Sequence, residues 1–472
     1  MSPDEFRKHA HELVEWMAGY MENVENYPVK SSVGPGEIKG KIPDNAPLHP
    51  EPFSSLMRDF EEIIMPGITH WQNPNFFAYF PANTSPPSIL AEMLVAALGT
   101  QCMIWETSPA AAELEEKMMI WLRNMIGLPA LFEGVIQDSA STATLAAILT
   151  AREKLTGFLI NNEGASGAGV CRVYCSEQTH SSVEKAVKIC GIGRKNLVKI
   201  PVRKDFSMDP EKLKESVILD KARGYLPCCV VATIGTTGTT AVDPVRAIGE
   251  ICSENGIWLH VDAAMAGSAL ILPEFQWMLD GREFIDSFVF NPHKWLFTNF
   301  DCSAYFVRDA ASLIRTFEIL PEYLRTRTRG KVNDYRDWGV PLGRRFRALK
   351  LWSVIRSYGL EELQNKLRYH IQIAARLSGM IAGEADFEIL APVTICVVCF
   401  RYRPTGCNEK QINDLNERLN HQLNDSGKLY LSHTVLDGKY TLRMVTAQTN
   451  VTLGHVERAW SAIKETARSI DS

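Results

Sequence analysis

Cys228-Cys229-Val230-Val231-Ala232-Thr233-Ile234 is a continuous apolar run, and Ile257-Trp258-Leu259-His260-Val261 is a second one. Between them, Pro244 to Asn255 carries Val245, Ile248 and Ile251 at helical spacing, and Gly256 is a stop signal. The pattern predicts strand, helix, strand. In one sheet that is a parallel pair joined by a right-handed crossover, with ligands collecting beyond the carboxyl ends of the strands. The fold class is therefore α/β with a mostly parallel sheet, and Asp262 stands at its ligand-binding edge.

The next strand-like run is Ile285 to Phe290, which leads into Asn291-Pro292-His293-Lys294-Trp295. If this run is parallel to the one before it, Lys294 and Asp262 converge. Each alone has a plain explanation, a solvated surface cation or a turn-forming carboxylate.

Two further segments change the balance. Gly134-Val135-Ile136-Gln137 passes into Asp138-Ser139-Ala140-Ser141-Thr142, and apolar residues then continue at helical spacing. Such a segment opens a helix, where unbonded N–H groups and the hydroxyls of Ser139, Ser141 and Thr142 can receive a phosphate, although serines cap ordinary helices far more often. Gln178-Thr179-His180-Ser181-Ser182 follows the strand-like Arg172 to Cys175 and can present an imidazole to a flat ring. A lysine, an aspartate, a phosphate cradle and a stacking ring are the parts that pyridoxal phosphate (PLP) requires: covalent attachment, a partner for the pyridine nitrogen, and anchorage. The constellation by itself supports a PLP enzyme, since transaminases, aldolases and decarboxylases all use a Lys and an Asp.

In this order, the segments resemble the group II PLP-dependent decarboxylases, and most closely the aromatic-L-amino-acid decarboxylases. The likeness extends over nearly the whole chain and includes Thr69-His70-Trp71, Phe76-Phe77-Ala78-Tyr79-Phe80-Pro81, Ser108-Pro109-Ala110, Asp301-Cys302-Ser303-Ala304 and Pro341-Leu342-Gly343-Arg344-Arg345-Phe346-Arg347. It implies the aspartate aminotransferase-like fold (type I) and a homodimer with shared active sites. It further implies that Lys294 holds the cofactor covalently, Asp262 pairs with its ring nitrogen, and His180 stacks on its face. Thr237 and Ala264 are placed near the ring, Ser139, Ala140, Ser141 and Asn291 at the phosphate, and His293 beside the lysine. The substrate pocket is assigned to Trp71, Tyr79, Phe80, Pro81, Ala82, Gln101, Met103 and Gly343. His260, two residues from Asp262 on one strand, shares its face and is expected either to hydrogen-bond it or to be a satisfied core histidine.

The resemblance also bears on the reaction. Leu320 to Lys331 has four cations and little periodicity, which reads as a solvated loop. In the family the matching loop closes over the site, and Tyr323 matches the tyrosine that protonates the product; relatives with Phe there form aldehydes. His293 stands where histidine decarboxylases tend to have Ser, and Gly343 where a bulkier residue narrows the ring pocket. Ala82 replaces the usual Thr of animal aromatic decarboxylases, and Gln101 and Met103 replace an aliphatic and an aromatic residue, so catechol selectivity is open. Decarboxylation of tryptophan, tyrosine, phenylalanine or dihydroxyphenylalanine is the leading reading. A PLP-dependent aldehyde synthase and a decarboxylase of another amino acid such as histidine are the alternatives. A cation site at His260 and Asp262 lacks a third ligand and leaves Lys294 without a role, so no metal is expected.

Composition agrees. The 472 residues are 46% hydrophobic and 22% charged, with net charge −5, ordinary values for a soluble globular protein and unlike a nucleic-acid-binding or membrane-surface protein. The start, Asp4-Glu5-Phe6-Arg7-Lys8-His9, is charged, and no apolar run approaches the roughly 18 residues of a membrane span, which points to the cytoplasm. Eleven cysteines fit buried free thiols in a reducing compartment. Cys396 and Cys399, three apart in a β-like run, face opposite sides of a sheet and share no ligand. Three parts are expected: a helical dimerisation arm at 1–85, a PLP-binding domain at 86–350 and an α+β domain at 351–472, with strands near 394–401, 428–435 and 439–446.

Overall fold

The computed structural model describes residues 1–319 and 330–470. The chain divides into two compact units, one of Met1–Pro81, Ile373–Leu390 and Val398–Ser472, the other of Ala82–Gln372 and Ala391–Val397.

The second unit is built on a seven-stranded sheet of β1 (Glu133–Gln137), β2 (Cys171–Ser176), β3 (Leu197–Ile200), β4 (Leu226–Thr233), β5 (Trp258–Asp262), β6 (Ser287–Phe290) and β7 (Ser303–Val307). Their order is β1-β7-β6-β5-β4-β2-β3. Strands β2 to β6 pair in parallel, and β7 runs antiparallel to both of its neighbours. The decisive unit is present as β4, the helix Val245–Asn255 and β5, with Gly256 ending the helix at φ +66°, a left-handed backbone that glycine adopts without a Cβ clash. Strands β4, β5 and β6 are buried along almost their whole length, which is why they read as unbroken apolar runs and not as alternation. The helix Ala140–Leu155 packs on this sheet through Ala143, Ala146, Ala147 and Ala151, small side chains that bring its axis close to Val173, Val231 and Val289.

The first unit holds a four-stranded sheet of β8 (Phe387–Ile389), β9 (Val397–Tyr402), β10 (Ser432–Leu436) and β11 (Lys439–Val445), ordered β10-β11-β9-β8. The helices Glu409–Asp425 and Leu453–Ile470 pack with it. Strand β9 begins at Val397, three residues later than its sequence suggests, and β8 pairs with its last three residues, Phe400 to Tyr402. Residues 1–81 belong with this sheet in one unit. Val29 N–H donates to Gly427 O at 2.9 Å, Phe77 N–H to Tyr430 O at 2.9 Å and Val445 N–H to Phe77 O at 3.0 Å. The helix Pro3–Asn23, closed by a Ser2/Glu5 capping box, nevertheless buries none of its residues. Among the described residues, no helix is long and apolar enough to cross a membrane.

Candidate functional site

Parallel pairing sets Asp262 opposite Val289 and Thr233 opposite Asp262, so β4, β5 and β6 end together. Lys294 lies in the short helix Pro292–Trp295 that follows β6 directly. The chain is tied across this edge by its backbone. Asp262 Oδ1 accepts from Ala264 N–H at 3.0 Å, and Ala264 O accepts from Asn291 N–H at 3.0 Å. Ile234 N–H donates to Asp262 O at 3.0 Å, and Gly235, at φ +83° and packed so closely on Ala266 that a side chain would collide with it, turns the chain into the loop of Thr237.

The charges of this edge act on one another. Burial pushes the Lys294 ammonium down from its usual value, and the Asp262 carboxylate opposes that shift. Burial pushes Asp262 up, and Lys294 and His180 pull it back. The exposed ring of His180 is lowered by burial of its surroundings and raised by Asp262. Its Nδ1 accepts from Ser182 N–H at 3.2 Å, which leaves the Nε2 edge as the free side of the ring.

The phosphate candidates also meet at this edge. Ser139 is the N-cap of Ala140–Leu155, and its Oγ accepts from Thr142 N–H at 3.2 Å. Ala140 and Ser141 occupy the first turn, where backbone N–H groups have no partner within the helix and the dipole favours an anion. Asn291 is buried, its Oδ1 accepting from Ser303 Oγ at 2.5 Å, and Ser303 faces Gln137 across β1 and β7. A buried Lys/Asp pair, a helix N-terminus and an accessible imidazole are groups that could hold PLP: an amine for its aldehyde, a carboxylate for its ring nitrogen, N–H groups for its phosphate and a ring for its face.

Two histidines behave as core groups. His260 Nδ1 lies 2.9 Å from Ser287 Oγ and Nε2 3.3 Å from Thr144 Oγ1, so of the two expectations the satisfied core histidine holds, and the ring bridges β6 and the helix Ala140–Leu155 in place of bonding Asp262. A cation site would need an imidazole nitrogen turned to Asp262, and both are used elsewhere. His293 is buried with Nδ1 accepting from Cys302 N–H at 2.8 Å, which makes it a clamp between the lysine turn and β7.

Together with His370, whose Nδ1 accepts from Trp295 Nε1–H at 3.0 Å, these rings are held neutral by burial, with pKa values pushed down to about 3. The unfolded chain takes up these protons near the ordinary histidine value of 6.5, the folded chain only near 3. Below the unfolded value, unfolding therefore gains protons and stability falls with falling pH, by roughly 1.4 kcal/mol per pH unit for each ring. Urea midpoints are expected to drop between pH 7 and 5, and to drop less in His370→Gln. Equal slopes in the two proteins would refute this assignment for His370.

The substrate-pocket candidates fall in both units. In the first, Trp71 and Tyr79 lie nearly parallel with centroids 6.0 Å apart, Tyr79 OH is 3.2 Å from Tyr430 OH, and the Phe80 ring lies 5.6 Å from the Arg443 guanidinium. Pro81 ends the first segment of this unit. In the second, Ala82 begins the unit, and Gln101, Met103 and Gly343 are neighbours. Gln101 Oε1 accepts from Arg344 N–H at 2.7 Å, Met103 O accepts from Arg336 N–H at 2.9 Å, and a Cβ at residue 343 would stand 3.2 Å from Gln101 Nε2. Tyr323 lies outside the described residues.

Three positioning residues escaped the sequence reading. Asn83 donates from Nδ2 to Lys294 O at 2.8 Å and from its N–H to His293 O at 3.1 Å, fixing the lysine turn. Ser182 orients His180. Asp243, buried and pushed up to about 7 by that burial, accepts from Thr233 N–H and Met208 N–H, both at 2.7 Å, and pins the end of β4. An Asn in a Pro-rich stretch and an Asp before Pro244 both read as turn formers, so the sequence held no signal for these contacts.

The pyridoxal-dependent decarboxylase conserved domain, as a family model, matches residues 35–403. A phenylacetaldehyde synthase of Petunia hybrida is 42% identical, over 99% of this chain and 95% of its own length. Tyrosine decarboxylase 3 of Petroselinum crispum is 40% identical, over 100% and 93%. The crystal structure of Catharanthus roseus tryptophan decarboxylase in complex with L-tryptophan superposes with a TM-score of 0.94 at 40% identity, covering 100% of this chain and 99% of that one.

Proposed function

The chain belongs to the pyridoxal-dependent decarboxylases, and from that premise we propose that it converts aromatic L-amino acids into aromatic amines and carbon dioxide. The observation that carries the reading is the approach of Lys294 to Asp262 at the carboxyl edge of the parallel sheet, with the N-terminus of Ala140–Leu155 beside it. Relatives that act on tyrosine and tryptophan support the aromatic substrate class.

PLP bound at this edge supplies an aldehyde that captures an amine and a ring that takes up the electron pair left by the departing carboxylate. The protein's part is to hold and to move protons. Ser139, Ala140, Ser141 and Asn291 would receive the phosphate, and Thr237 and Ala264 would flank the ring. Asp262, kept close to a cation, would hold a proton on the ring nitrogen. Lys294, its ammonium disfavoured by burial, would have a neutral amine available for attachment and for releasing product. His180 would lie on the ring face, held by Ser182. Trp71, Tyr79, Phe80, Pro81, Ala82, Gln101, Met103 and Gly343 would contact the substrate's aromatic group.

The reading is tested by incubating the enzyme with tryptophan, tyrosine, phenylalanine, dihydroxyphenylalanine and histidine, and measuring carbon dioxide, amine, aldehyde and peroxide together. Amine equal to carbon dioxide with an aromatic substrate is expected. Aldehyde with peroxide would favour the synthase alternative, which the Petunia relative supports, and amine from histidine alone would reject the aromatic class.

For Tyr323 we propose protonation of the product carbon. Tyr323→Phe should retain the cofactor, lose most amine formation and gain aldehyde; unchanged amine output would pass that role to His180. The active unit is proposed to be a homodimer. Phe6, Val14 and Met21 on one exposed helix, and Leu90, Leu94 and Leu98 on another, are too apolar to be left in water. Sedimentation of a fully active monomer would reject the dimer.

A further inference from the structure

Gln101 is exposed, yet its side chain is held in one orientation. Its Oε1 accepts from Arg344 N–H at 2.7 Å, and Cys102 N–H donates to Arg344 O at 3.0 Å, so the two segments are tied in both directions. Thr107 Oγ1 donates to Gln101 O at 2.9 Å and fixes the backbone behind it. Because the partner is a donor, the amide stands only one way round: an oxygen faces Arg344 N–H and the NH2 group faces away. Nε2 then lies on the bare side of Gly343, 3.2 Å from where a Cβ would be. Among the described residues this nitrogen has no hydrogen-bond partner in the protein.

The strip that carries this donor is anchored, within the same unit, to the edge that carries Lys294. The Arg344 guanidinium donates to Ile136 O at 2.8 Å and to Glu115 at 2.6 Å, and Glu115 accepts in turn from Ile136 N–H at 2.8 Å. Gln137, the next residue and the end of β1, pairs with Ser303, whose Oγ donates to Asn291 Oδ1 at 2.5 Å. Asn291 O accepts from Lys294 N–H at 2.9 Å. The chain beside Gly343 is apolar and open, with Val340 61% and Leu342 51% exposed. A directed polar group among accessible apolar side chains is what fixes the orientation of a small ligand.

We propose that Gln101 is a specificity-determining residue, whose Nε2 donates to a hydroxyl group on the substrate's ring; this rests on the reading of the chain as an aromatic amino acid decarboxylase. An amide N–H needs an acceptor. A phenol oxygen is one, whereas the indole N–H of tryptophan only donates and the phenyl ring of phenylalanine does neither. Gly343, having no side chain, leaves room beside the donor for the far end of such a ring. The bond forms when the substrate binds and persists through the reaction, so it acts on KM more than on kcat. The site therefore favours tyrosine and dihydroxyphenylalanine over phenylalanine by about tenfold, the scale of one ordinary hydrogen bond.

The test compares kcat and KM for tyrosine and phenylalanine, which differ by that hydroxyl alone, in the PLP-loaded wild type and in Gln101→Met, a side chain of similar length with no donor. The wild type is expected to favour tyrosine, and in the variant the two kcat/KM values should come within about twofold of each other, through a higher KM for tyrosine. A wild type that favours phenylalanine would overturn the proposal, whether or not the variant folds. So would an unchanged ratio in the variant, or an equal fall for both amino acids, which would give Gln101 a structural role. No carbon dioxide from either amino acid with the wild type would reject the decarboxylase reading itself, and this inference with it.

Discussion

Lys294→Ala is expected to lose amine formation by about a thousandfold or more, while the protein still folds. Proton transfer by a positioned group is worth on the order of 10²–10⁴ in rate, and loss of the covalent anchor adds to it. The fold should tolerate the change because the contact that fixes this turn is made by the Lys294 carbonyl, which accepts from Asn83 Nδ2, and not by the ammonium. Removing a buried amine also relieves a desolvation cost, visible in the lowered Lys294 ionisation. The checks are turnover with a saturating aromatic amino acid and a thermal melt. A variant that turns over like the wild type would sink the PLP reading of this site.

Asp262→Asn should lower kcat by about a hundredfold or more, the scale found when one preorganised electrostatic contact to a developing charge is removed. Asn keeps the acceptor for Ala264 N–H, so the β5 edge survives. What disappears is the negative charge that, in the proposed reading, would hold a proton on the ring nitrogen. That charge matters most as the electron pair develops, so the loss belongs in kcat more than in KM. A change in KM alone would mean that Asp262 serves binding and not the reacting charge.

The sequence was most readable where a strand ends in a reactive residue. Asp262 and Lys294 both follow runs buried on two faces, so position along the chain almost fixes position at the sheet edge. Ser139 was legible for the same reason, at the passage from β1 into a helix. His260 was not, because its partners Thr144 and Ser287 come from two other elements and only packing brings them within reach. Asn83 acts on a turn 211 residues away, and nothing local distinguishes it from a loop asparagine. Residues 1–85 read as an arm because their apolar stripe is thin, yet Val29, Phe76 and Phe77 make contacts with residues beyond 426. The neighbourhood of Gln101 and Gly343 depends likewise on a hydrogen bond between segments 243 residues apart.

The central claim is that Lys294 is the residue that holds the cofactor. Borohydride reduction of the PLP-loaded enzyme, followed by digestion and mass mapping, tests it most directly. A phosphopyridoxyl group on the peptide carrying Asn291 to Trp295, localised to Lys294, is the predicted result; the group on any other lysine, or on none, would contradict it.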